Sequence, residues 1–425
     1  MELQLPKGTR DFSPEEKILR DKIVGTLKEV FELYGFAPLD TPILERFDVL
    51  ASKYAGGAEI LKETFRLKDQ GARELGFRYD LTVSLARYIG MNPTIKMPFK
   101  RYQIGEVFRD GPVASARYRQ FLQCDVDVIG SNSMAADAEI VALVYSAFSK
   151  LNLEVVVKAS NRGLLNDILD YCGVQKEKQE AVILSIDKLE KFGVNIVKEE
   201  LKQQKIDESK INKIIDIINV EGDNQEKISQ LKKILKNSEG LKKIEEMISY
   251  LKNMNCQADF DVSLARGLAY YTGTVIEVVL KNSSIKNSVA GGGRYDTMIG
   301  SFLGKGSIPA VGISLGVDRI YDALAENQKS KQKTNTKVYI IPIKTINESM
   351  KIAQQLRDAG INTDIDSNDK SPSKNLEYAN SLGIPHVIFI GKKELEESKV
   401  KLRDMGSGKE EMLKIEEVIS KLKNV

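Results

Sequence analysis

The spacing of apolar residues predicts an amphipathic helix near the start of the chain. Leu19, Ile23 and Leu27 recur every four residues, as the buried face of a helix requires. Ser13 stands at an N-cap position, and Glu16, three residues later, completes a capping box. The sequence therefore predicts a helix that begins directly after Ser13.

Short runs rich in β-branched residues predict strands between residues 36 and 130 and again near residues 155 and 275. Helix-like stretches separate some of these runs, but there is no regular alternation of strand and helix. This order favours an α+β domain built around a largely antiparallel sheet. The runs are "RYQIGEVFRD", "CDVDVIG", "LEVVVKAS" and "TVIEVVL".

Strand signals disappear between residue 163 and about residue 256, where helical segments rich in Lys and Glu take over. Ile211, Ile214 and Ile218 have helical spacing, and so do Ile244 and Leu251. We interpret residues 163–256 as a helical insertion into the sheet domain. Its lysines are expected to form a solvated face, and contact with nucleic acid stays an alternative for a share of them.

The stretch "AENQKSKQKTNT", residues 325–336, has almost no apolar content and predicts a linker over 326–336. It would separate a first domain, residues 1–325, from a second domain, residues 337–425. The second domain has strand and helix signals in βαβαβ order, which predicts an α/β domain with a parallel or mixed sheet. One of its helices would carry Ile346, Met350 and Ala353 on its apolar face.

Composition is typical of a folded protein with more than one domain. The chain has 425 residues, of which 42% are hydrophobic and 29% charged, and its net charge is +3. That charge allows an acidic partner without requiring one. The charged start of the chain does not resemble a signal peptide, and no run is apolar enough to cross a bilayer, so we expect a cytoplasmic protein without a membrane partner.

Histidine and cysteine are too scarce to carry the chemistry. Cys124, Cys172 and Cys256 show no CxxC spacing, which disfavours both a disulfide framework and a zinc site. The only histidine, His386, lies in the strand-like run "GIPHVIFIG" and is expected to be structural. Carboxylates, Arg, Lys, Tyr and Gln must therefore supply the reactive groups, and protein ligands for a metal ion cannot be assigned.

Two polar clusters have spacings that suit a ligand. Asp80 and Thr82 in "RYDLTVSLARYI" share a face if this stretch is extended, and a carboxylate and a hydroxyl there would suit an ammonium group. The alternative is a helix N-terminus with Asp80 as cap. Alternate residues from 117 to 127 also share a face, which either binds a charged ligand or is exposed to solvent. That face consists of Arg117, Arg119, Phe121, Gln123, Asp125 and Asp127, and Arg109 ends the preceding strand.

Glycines and further arginines follow. Gly291–Gly293 permit the close approach of a ligand or of a neighbouring backbone. Gly316 precedes a helix that carries Arg319, which is consistent with tight packing or with a nucleotide over the glycines. Arg266 lies beside the tyrosine pair in "FDVSLARGLAYYTG". Since no GxxxxGK[ST] motif is present, any ATP would be held by guanidinium groups and not by a P-loop.

Taken in order, these stretches resemble the histidyl-tRNA synthetase family of class II aminoacyl-tRNA synthetases over essentially the whole chain. "LDTPILERF", "GEVFRDGP" with "RYRQFLQCDVD", and "GISLGVDRI" are similar to class II motifs 1, 2 and 3. "LARGLAYYTG" and "GGGRYD" resemble the two histidine-recognition motifs, and the chain looks closest to the archaeal and eukaryotic type. The resemblance implies a class II catalytic domain, an anticodon-binding domain and a homodimer formed through motif 1.

The resemblance also implies the reaction and the residues that perform it. L-Histidine would react with ATP and Mg²⁺ to give histidyl-adenylate, and the histidyl group would pass to tRNA(His). It assigns the α-amino group of histidine to Asp80, Thr82 and Gln123. It assigns the imidazole to Asp127 and Tyr271, with Tyr270 and Tyr295 in support. It assigns ATP to Arg109, Arg117, Arg119, Phe121, Gly316 and Arg319. Arg266 would bridge the histidine carboxylate and the α-phosphate, and Arg266 and Arg109 would be the catalytic residues.

One position departs from the family, and two other protein classes compete. Ala269 stands where the family usually has an acid, which puts the fine tuning of affinity in doubt. The first competing class is the synthetase-like regulatory subunit of ATP phosphoribosyltransferase, which generally lacks the C-terminal domain and the motif arginines. The second is an accessory subunit that only binds tRNA or DNA. Because this chain keeps Arg109, Arg266 and Arg319, we expect an enzyme.

Overall fold

The computed structural model describes residues 2–51, 61–113, 117–266, 270–285, 287–302, 304, 306–327 and 332–423. It divides into two compact units. The first comprises Met1–Arg10 and Ile23–Glu326, and the second comprises Asp11–Lys22 and Asn327–Val425. Within the described ranges, no helix is long and apolar enough to cross a membrane.

In the part of the first unit that the structure describes, eleven strands form two sheets. The strands are β1 (Ala37–Pro38), β2 (Leu44–Arg46), β3 (Arg66–Lys68), β4 (Glu74–Phe77), β5 (Phe99–Phe108), β6 (Gln120–Ile129), β7 (Val155–Asn161), β8 (Asp259–Phe260), β9 (Thr274–Leu280), β10 (Ala290–Arg294) and β11 (Ala310–Gly316). The large sheet has the order β1-β5-β6-β11-β10-β9-β7-β8, and the small one β2-β4-β3. Only the outer pairs β1/β5 and β7/β8 of the large sheet are parallel. The predicted α+β fold with a largely antiparallel sheet is therefore confirmed.

The helices up to residue 327 support this sheet. They are α1 (Pro14–Leu33), α2 (Phe47–Leu50), α3 (Thr82–Met91), α4 (Met134–Lys150), α5 (Arg162–Tyr171), α6 (Lys176–Ile186), α7 (Leu189–Gln203), α8 (Glu208–Ile218), α9 (Asn224–Ile234), α10 (Glu239–Asn253), α11 (Asp296–Phe302) and α12 (Val317–Asn327). The predicted capping box at α1 is present, since Ser13 N donates to Glu16 Oε2 and Glu16 N donates to Ser13 Oγ. Ile23 and Leu27 are completely buried, as their spacing predicts.

Residues 162–253 contain helices α5–α10 and no strand, in agreement with the predicted helical insertion. Ile211, Ile214, Ile244 and Leu251 are buried, so their helical spacing marks the interior of the insertion. Asn161 begins this region by accepting hydrogen bonds from two backbone amides of α5. Helices α4 and α10 pack against each other and against β7, which connects the insertion to the sheet.

The second unit has its own five-stranded sheet. The strands are β12 (Val338–Pro342), β13 (Thr363–Ile365), β14 (His386–Ile390), β15 (Val400–Asp404) and β16 (Glu410–Leu413), in the order β13-β12-β14-β15-β16. Strands β12, β13 and β14 are parallel, and β15 and β16 add an antiparallel edge. The helices are α13 (Ile346–Asp358), α14 (Pro372–Ser381), α15 (Lys392–Glu396) and α16 (Ile415–Lys423). The predicted mixed α/β sheet is confirmed.

The predicted apolar face of α13 is wrong at two positions. Ile346 and Met350 are 45% and 52% exposed, whereas Ser349, Ala353 and Leu356 are buried. The buried face has the spacing 349, 353 and 356, whereas Met350 lies one position after 349 and Ile346 lies at the first residue of the helix. The prediction failed because it followed residue type at 346 and 350 and missed a small polar residue that packs inside.

His386 begins β14 with most of its side chain buried, and its Nδ1 lies 3.9 Å from Asp404 Oδ2. Burial lowers its pKa more than this carboxylate raises it. Cys124, Cys172 and Cys256 are all free thiols. His386 thus lies in a strand, as predicted.

Candidate functional site

A cavity of about 430 Å³ opens beside the central strands of the large sheet. It is lined by residues of β6, β10 and β11, by the segment after β5, and by the N-terminal ends of α3 and α12. With the exception of Arg119, every predicted site residue lines it. These residues are Asp80, Thr82, Arg109, Arg117, Phe121, Gln123, Asp127, Arg266, Tyr270, Tyr271, Tyr295, Gly316 and Arg319.

Strand register explains why the polar residues of β6 converge. Asp127 is paired with Arg101 on β5 and with Gly312 on β11, and Asp125 is paired with Ser314 on β11. Residues that alternate along a strand point to one face, so Gln123 joins them. The polar alternation from residue 121 to 127 therefore lines a cavity, and the alternative of a solvent-exposed face is wrong for these positions.

The glycines of β10 and β11 leave room for functional side chains. A Cβ atom on Gly312 would lie 2.0 Å from Asp127 Oδ1, and one on Gly291 would lie 2.0 Å from Arg266 Nη1. A Cβ atom on Gly292 would meet the backbone oxygen of Gly312 at 2.1 Å. Gly316 differs, because a Cβ atom there would meet no protein atom closer than 3.5 Å. Backbone atoms therefore exclude a side chain at Gly292 and Gly312, whereas a side chain at Gly291 would displace the guanidinium of Arg266.

Asp127 is held by a buried cation that the sequence prediction missed. Arg101 Nη2 lies 2.7 Å from Asp127 Oδ2, and the Arg101 side chain is fully buried. The hydroxyl of Tyr295 donates to the other oxygen, Asp127 Oδ1. Burial raises the pKa of Asp127, while Arg101 and Tyr295 oppose that rise by favouring the charged form. Arg101 and Asp127 thus form an ion pair at the base of the cavity.

Asp80 combines two alternatives that the sequence left open. Its Oδ1 accepts hydrogen bonds from the backbone amides of Thr82, at 3.1 Å, and Val83, at 3.0 Å. Thr82 begins α3, so the stretch is a capped helix N-terminus and the extended geometry considered for it is wrong. Both side chains nevertheless line the cavity, and burial raises the pKa of Asp80. The capping residue and the candidate ligand are therefore the same carboxylate.

A second polar group connects β6 with β11. Gln123 Nε2 donates to Ser314 Oγ at 2.7 Å, and the side chain of Ser314 also hydrogen-bonds Asp125. Burial raises the pKa of Asp125 to about 7, Asp127 and Asp80 add to the rise, and Arg101 and Ser314 oppose it. Ser314 and Asp125 line the cavity, although no role was predicted for either.

Three tyrosines form an aromatic wall of the cavity. The rings of Tyr270 and Tyr271 are 4.8 Å apart, and Tyr270 contacts Tyr295 edge to face at 6.4 Å. Burial raises the pKa of each phenol, so all three stay neutral donors at physiological pH. Residues 267–269, which include Ala269, lie outside the described residues, so the departure at that position receives no structural account.

Several arginines occupy another part of the cavity. The guanidinium of Arg109 lies over the rings of Tyr79, at 4.2 Å, and Phe121, at 4.9 Å. Arg319 donates to the backbone oxygen of Ser288. Burial, followed by the like charges of Arg266 and Arg109, lowers the pKa of Arg319. These cations are close enough to repel one another, which favours the binding of an anion.

Two of the predicted arginines are held by carboxylates outside the prediction. Arg117 Nη2 lies 2.9 Å from Glu63 Oε1, and Arg266 Nη1 lies 3.5 Å from Glu277 Oε1. Arg119 instead donates to Gly111 O at 3.1 Å and lies 3.2 Å from Asp110. The structure therefore does not bring Arg119 to the cavity wall.

An N-terminal contact fixes the loop that carries these arginines. Arg10 Nη2 donates to Asp318 Oδ1 at 2.6 Å, and its Nη1 donates to the hydroxyl of Tyr118 at 3.1 Å. Asp318 Oδ2 accepts from the backbone amide of Leu122 at 3.0 Å. The sequence shows Arg10 only as a charged residue in the stretch "KGTRD". Spacing along the chain could not predict that its partner is Asp318, more than 300 residues away.

The cavity thus has two chemically different parts. The carboxylate end consists of Asp80, Gln123, Asp125 and Asp127 with Tyr271 and Tyr295. The arginine end consists of Arg109, Arg117, Arg266 and Arg319 with Phe121. Such an arrangement suits a ligand, or a pair of ligands, with a cationic or hydrogen-bond-donating part and a polyanionic part.

Two protein-family models match this chain. A model described as "Histidyl-tRNA synthetase" matches residues 8–320, and one described as "Anticodon binding domain" matches residues 337–425. The first match includes the whole cavity. The second match includes the five-stranded sheet of the second unit.

Individual relatives match over nearly the full length. Histidine–tRNA ligase 1 of Bacillus cereus is 42% identical, covering 96% of this chain and 95% of that protein. Histidine–tRNA ligase of Clostridium tetani is 37% identical, with 98% and 97% covered. The crystal structure of histidyl-tRNA synthetase from Nostoc sp. PCC 7120 has a TM-score of 0.89 at 30% identity, covering 100% of this chain and 99% of that one.

A fourth similarity concerns the fold alone. An ATP phosphoribosyltransferase regulatory subunit/histidyl-tRNA synthetase from Bacillus halodurans C has a TM-score of 0.76 at 21% identity, covering 91% of this chain and 97% of that one. At that identity the match carries no information on activity. It does show that the same architecture occurs in a protein described by both names.

Proposed function

This chain belongs to the histidyl-tRNA synthetase family, and from that premise we propose that its cavity binds histidine at the carboxylate end and ATP at the arginine end. The chain is a histidine–tRNA ligase that activates histidine with ATP and transfers the histidyl group to tRNA(His). The regulatory-subunit alternative has less support, because its structural match has lower identity.

The histidine site is proposed from the chemistry of the carboxylate end. Asp80, Thr82 and Gln123 accept from the α-amino group of the substrate, and Asp127 and Tyr271 bind its imidazole. Tyr270 and Tyr295 support the aromatic wall, and Tyr295 donates to Asp127. A neutral imidazole needs one acceptor and one donor, which a carboxylate and a phenol supply.

The ATP site is proposed from the arginine end. The carrying observation is that Arg109, Arg266 and Arg319 line one cavity. Burial and then the like charges of Arg266 and Arg109 lower the pKa of Arg319, so an anion bound among these cations would relieve their repulsion. Arg109 binds the α-phosphate, and Arg117 binds an outer phosphate. Phe121 and Arg319 stack on the adenine, beside Gly316. Arg119 reaches an outer phosphate only if it leaves Gly111 and Asp110, so its role is the least supported of the set.

Adenylate formation then follows from the positions of the two ligands. An oxygen of the histidine carboxylate attacks the α-phosphorus, the bond from phosphorus to the bridging oxygen breaks, and pyrophosphate leaves in line. Arg266 bridges the attacking carboxylate and the α-phosphate, and Arg109 holds the same phosphate. Their fixed charges stabilise the negative charge that develops in the transition state. No histidine side chain is required as a base.

We also propose that Mg²⁺ accompanies ATP. Among the residues that the structure describes, no group of three or more Asp, Glu, His or Cys side chains is arranged to hold a metal ion. Mg²⁺ commonly takes few protein ligands and completes its octahedron with phosphate oxygens and water. The arginines of this end offer no metal ligand, so the ion would be held by the phosphate oxygens and water, and when bound it would supply positive charge to the outer phosphates.

The remaining proposals concern organisation. We propose that residues 1–325 are the catalytic domain with its insertion at about 163–256, that 326–336 is the linker, and that residues 337–425 bind the anticodon of tRNA(His). The match of residues 337–425 to an anticodon-binding model supports the last point. A cytoplasmic location stays a prediction. The archaeal and eukaryotic subtype gains no support, because the relatives named above are bacterial.

A homodimer is proposed through the motif 1 stretch. Ile43 and Leu44 are large apolar residues that are more than two-fifths exposed in this single chain, and Leu44 begins strand β2. Burial against a second copy would remove them from water. Light scattering should give twice the chain mass for the native protein and a lower mass for Leu44→Glu. A native monomer would contradict the proposal.

The activity is tested by amino-acid-dependent exchange between ATP and pyrophosphate. Purified protein with ATP and Mg²⁺ is expected to exchange pyrophosphate with histidine and with none of the other standard amino acids. Histidylation of tRNA(His) by the same preparation completes the test. Exchange with a different amino acid, or with none, would refute the assignment of the cavity.

A further inference from the structure

Two buried acceptor atoms in the carboxylate end lack a protein partner. Within the described ranges, Gln123 Oε1, Asp125 Oδ1 and Asp127 Oδ2 are inaccessible to solvent and have no hydrogen-bond partner, but Asp127 Oδ2 forms an ion pair with Arg101, which leaves Gln123 Oε1 and Asp125 Oδ1. Both residues are on β6, two positions apart, and both line the cavity. Buried polar atoms are normally hydrogen-bonded, so an unpartnered pair at a cavity wall indicates a ligand with hydrogen-bond donors.

The two aspartates of β6 differ in how their oxygens are used. Asp127 Oδ1 accepts a hydrogen bond from Tyr295, and its Oδ2 has no hydrogen bond but lies 2.7 Å from Arg101 Nη2 in an ion pair. Asp125 is bonded by Ser314 but forms no ion pair with any described residue, and its Oδ1 stays vacant. A vacant carboxylate oxygen in a buried site is the stronger acceptor for an incoming donor.

Strand register indicates which part of the substrate faces Asp125. Asp125 is paired with Ser314, and Ser314 is paired with Gly291, over which Arg266 lies. Arg266 is the proposed partner of the histidine carboxylate. The α-amino and α-carboxylate groups share one carbon atom. With the carboxylate at Arg266, the group that lies beside Asp125 and Ser314 is therefore the amino group. Asp127 lies two residues further along β6, towards Tyr295.

We propose that Asp125 is a further histidine-binding residue, whose Oδ1 accepts a hydrogen bond from the α-ammonium group of the substrate beside Gln123 and Asp80. An ammonium group has three N–H donors, which the four acceptors Asp80, Thr82, Gln123 and Asp125 would share. The proposal rests on the proposed histidine site. It adds Asp125, a carboxylate that the family resemblance did not assign, to the residues that bind the amino group.

The electrostatics of the site support this assignment. The carboxyl of Asp125 is buried among Asp80 and Asp127, with only Arg101 and Ser314 favouring its charged form, and its pKa is raised to about 7. An ammonium group at Oδ1 would bring a positive charge into contact with it and favour ionisation. Substrate binding would therefore charge a group that is partly protonated in the empty cavity at neutral pH.

The test uses Asp125→Asn, which keeps the shape and the acceptor for Ser314 but removes the charge. Calorimetry would compare three ligands: histidine, histidinol, in which a hydroxymethyl group replaces the carboxylate, and deaminohistidine, which lacks the α-amino group. Loss of a charged hydrogen bond should weaken histidine and histidinol by roughly 10- to 100-fold. Binding of deaminohistidine should change by less than about twofold, because it lacks the group that Asp125 contacts.

A matched control and a second variant make the result decisive. Asp127→Asn is expected to weaken all three ligands, because the imidazole is common to them. Ser314→Ala, which removes the hydroxyl that bonds Asp125, should reproduce the pattern of Asp125→Asn with a smaller effect. Equal weakening of all three ligands by Asp125→Asn, or no weakening by a folded variant, would overturn the proposal. If the wild-type protein bound neither histidine nor histidinol, the proposed function itself would fail.

Discussion

The carboxylate end and the arginine end of the cavity hold their charged side chains in opposite ways. At the carboxylate end, the Asp127 side chain is 5% exposed and contacts the fully buried Arg101. At the arginine end, the Arg117 side chain is 55% exposed and contacts Glu63, whose side chain is 15% exposed. Arg266, whose side chain is 25% exposed, forms a longer ion pair with Glu277, at 3.5 Å.

This difference separates a preorganised site from an adaptable one. A buried ion pair keeps its geometry before any ligand arrives, since breaking it leaves an uncompensated charge. An exposed pair contributes little and exchanges easily for a better partner such as a phosphate. Under the proposed function, this geometry suits the carboxylate end to discrimination between amino acids and the arginine end to binding and release of a polyanion.

The largest effect is expected at the buried pair. Arg101→Met leaves Asp127 without its cation and should lower the free energy of unfolding by about 3–5 kcal/mol. The double variant Arg101→Met with Asp127→Asn removes both charges and should recover at least half of that loss. Urea denaturation followed by circular dichroism measures both. If Arg101→Met were as stable as the native protein, the buried pair would not preorganise the carboxylate end, and the two ends would not differ in this way.

The next effect concerns Arg266, which lies between the two ends. Arg266→Ala should reduce the rate of adenylate formation by roughly 100- to 1,000-fold, because its charge acts mainly in the transition state. The dissociation constant for ATP should change by less than about tenfold. Arg73→Ala, an exposed arginine paired with Asp69, is the matched control and should leave both values unchanged. Equal losses in rate and ATP affinity would contradict the transition-state role.

A third effect is the pH dependence of the carboxylate end. The folded protein holds a proton on Asp125 up to about pH 7, and the unfolded chain releases it near the usual pKa of 3.8. The folded state thus binds more protons between these values, so this group lowers stability as pH rises from about 4 to 7.

Asp125→Asn removes that contribution while Asp80, Asp127 and Arg101 remain. The stability of the variant relative to the native protein should therefore increase from pH 5 to pH 8. Urea denaturation of both proteins across this range, without substrate, gives the difference. A constant difference would show that Asp125 is ionised throughout.

The smallest effect is expected at the surface of the arginine end. Glu63→Gln releases Arg117 from an exposed ion pair, which should change the KM for ATP by no more than about fivefold and towards tighter binding. Glu74→Gln, in the exposed pair with Lys68, is the control and should have no effect on ATP. A loss of ATP affinity in Glu63→Gln would mean that this carboxylate orients Arg117 and does not compete for it.

Local patterns predicted much of the fold and of the site. The capping box at Ser13 and the alternation from Phe121 to Asp127 depend on neighbours within a few residues, and the structure bears out both. The family resemblance joined residues from distant stretches into a single cavity. Arg119 continued the same alternation but lies before β6 begins, where strand geometry no longer fixes its direction.

The features that the sequence could not give depend on register between strands. Nothing in "KRYQIGEV" distinguishes Arg101 from an exposed cation until β5 is aligned with β6 and Asp127 lies opposite. The same applies to Glu277, whose partner Arg266 lies in another segment. On α13, residue type misled the prediction, since Ser349 is buried and Met350 is exposed.

The most direct test of the two-ended cavity is a crystal structure with histidine and a non-hydrolysable ATP analogue bound. We predict the imidazole and α-ammonium groups at the carboxylate end, the adenine on Phe121, and the α-phosphate between Arg109 and Arg266. Histidine bound among the arginines, or a phosphate against Asp125 and Asp127, would contradict the account.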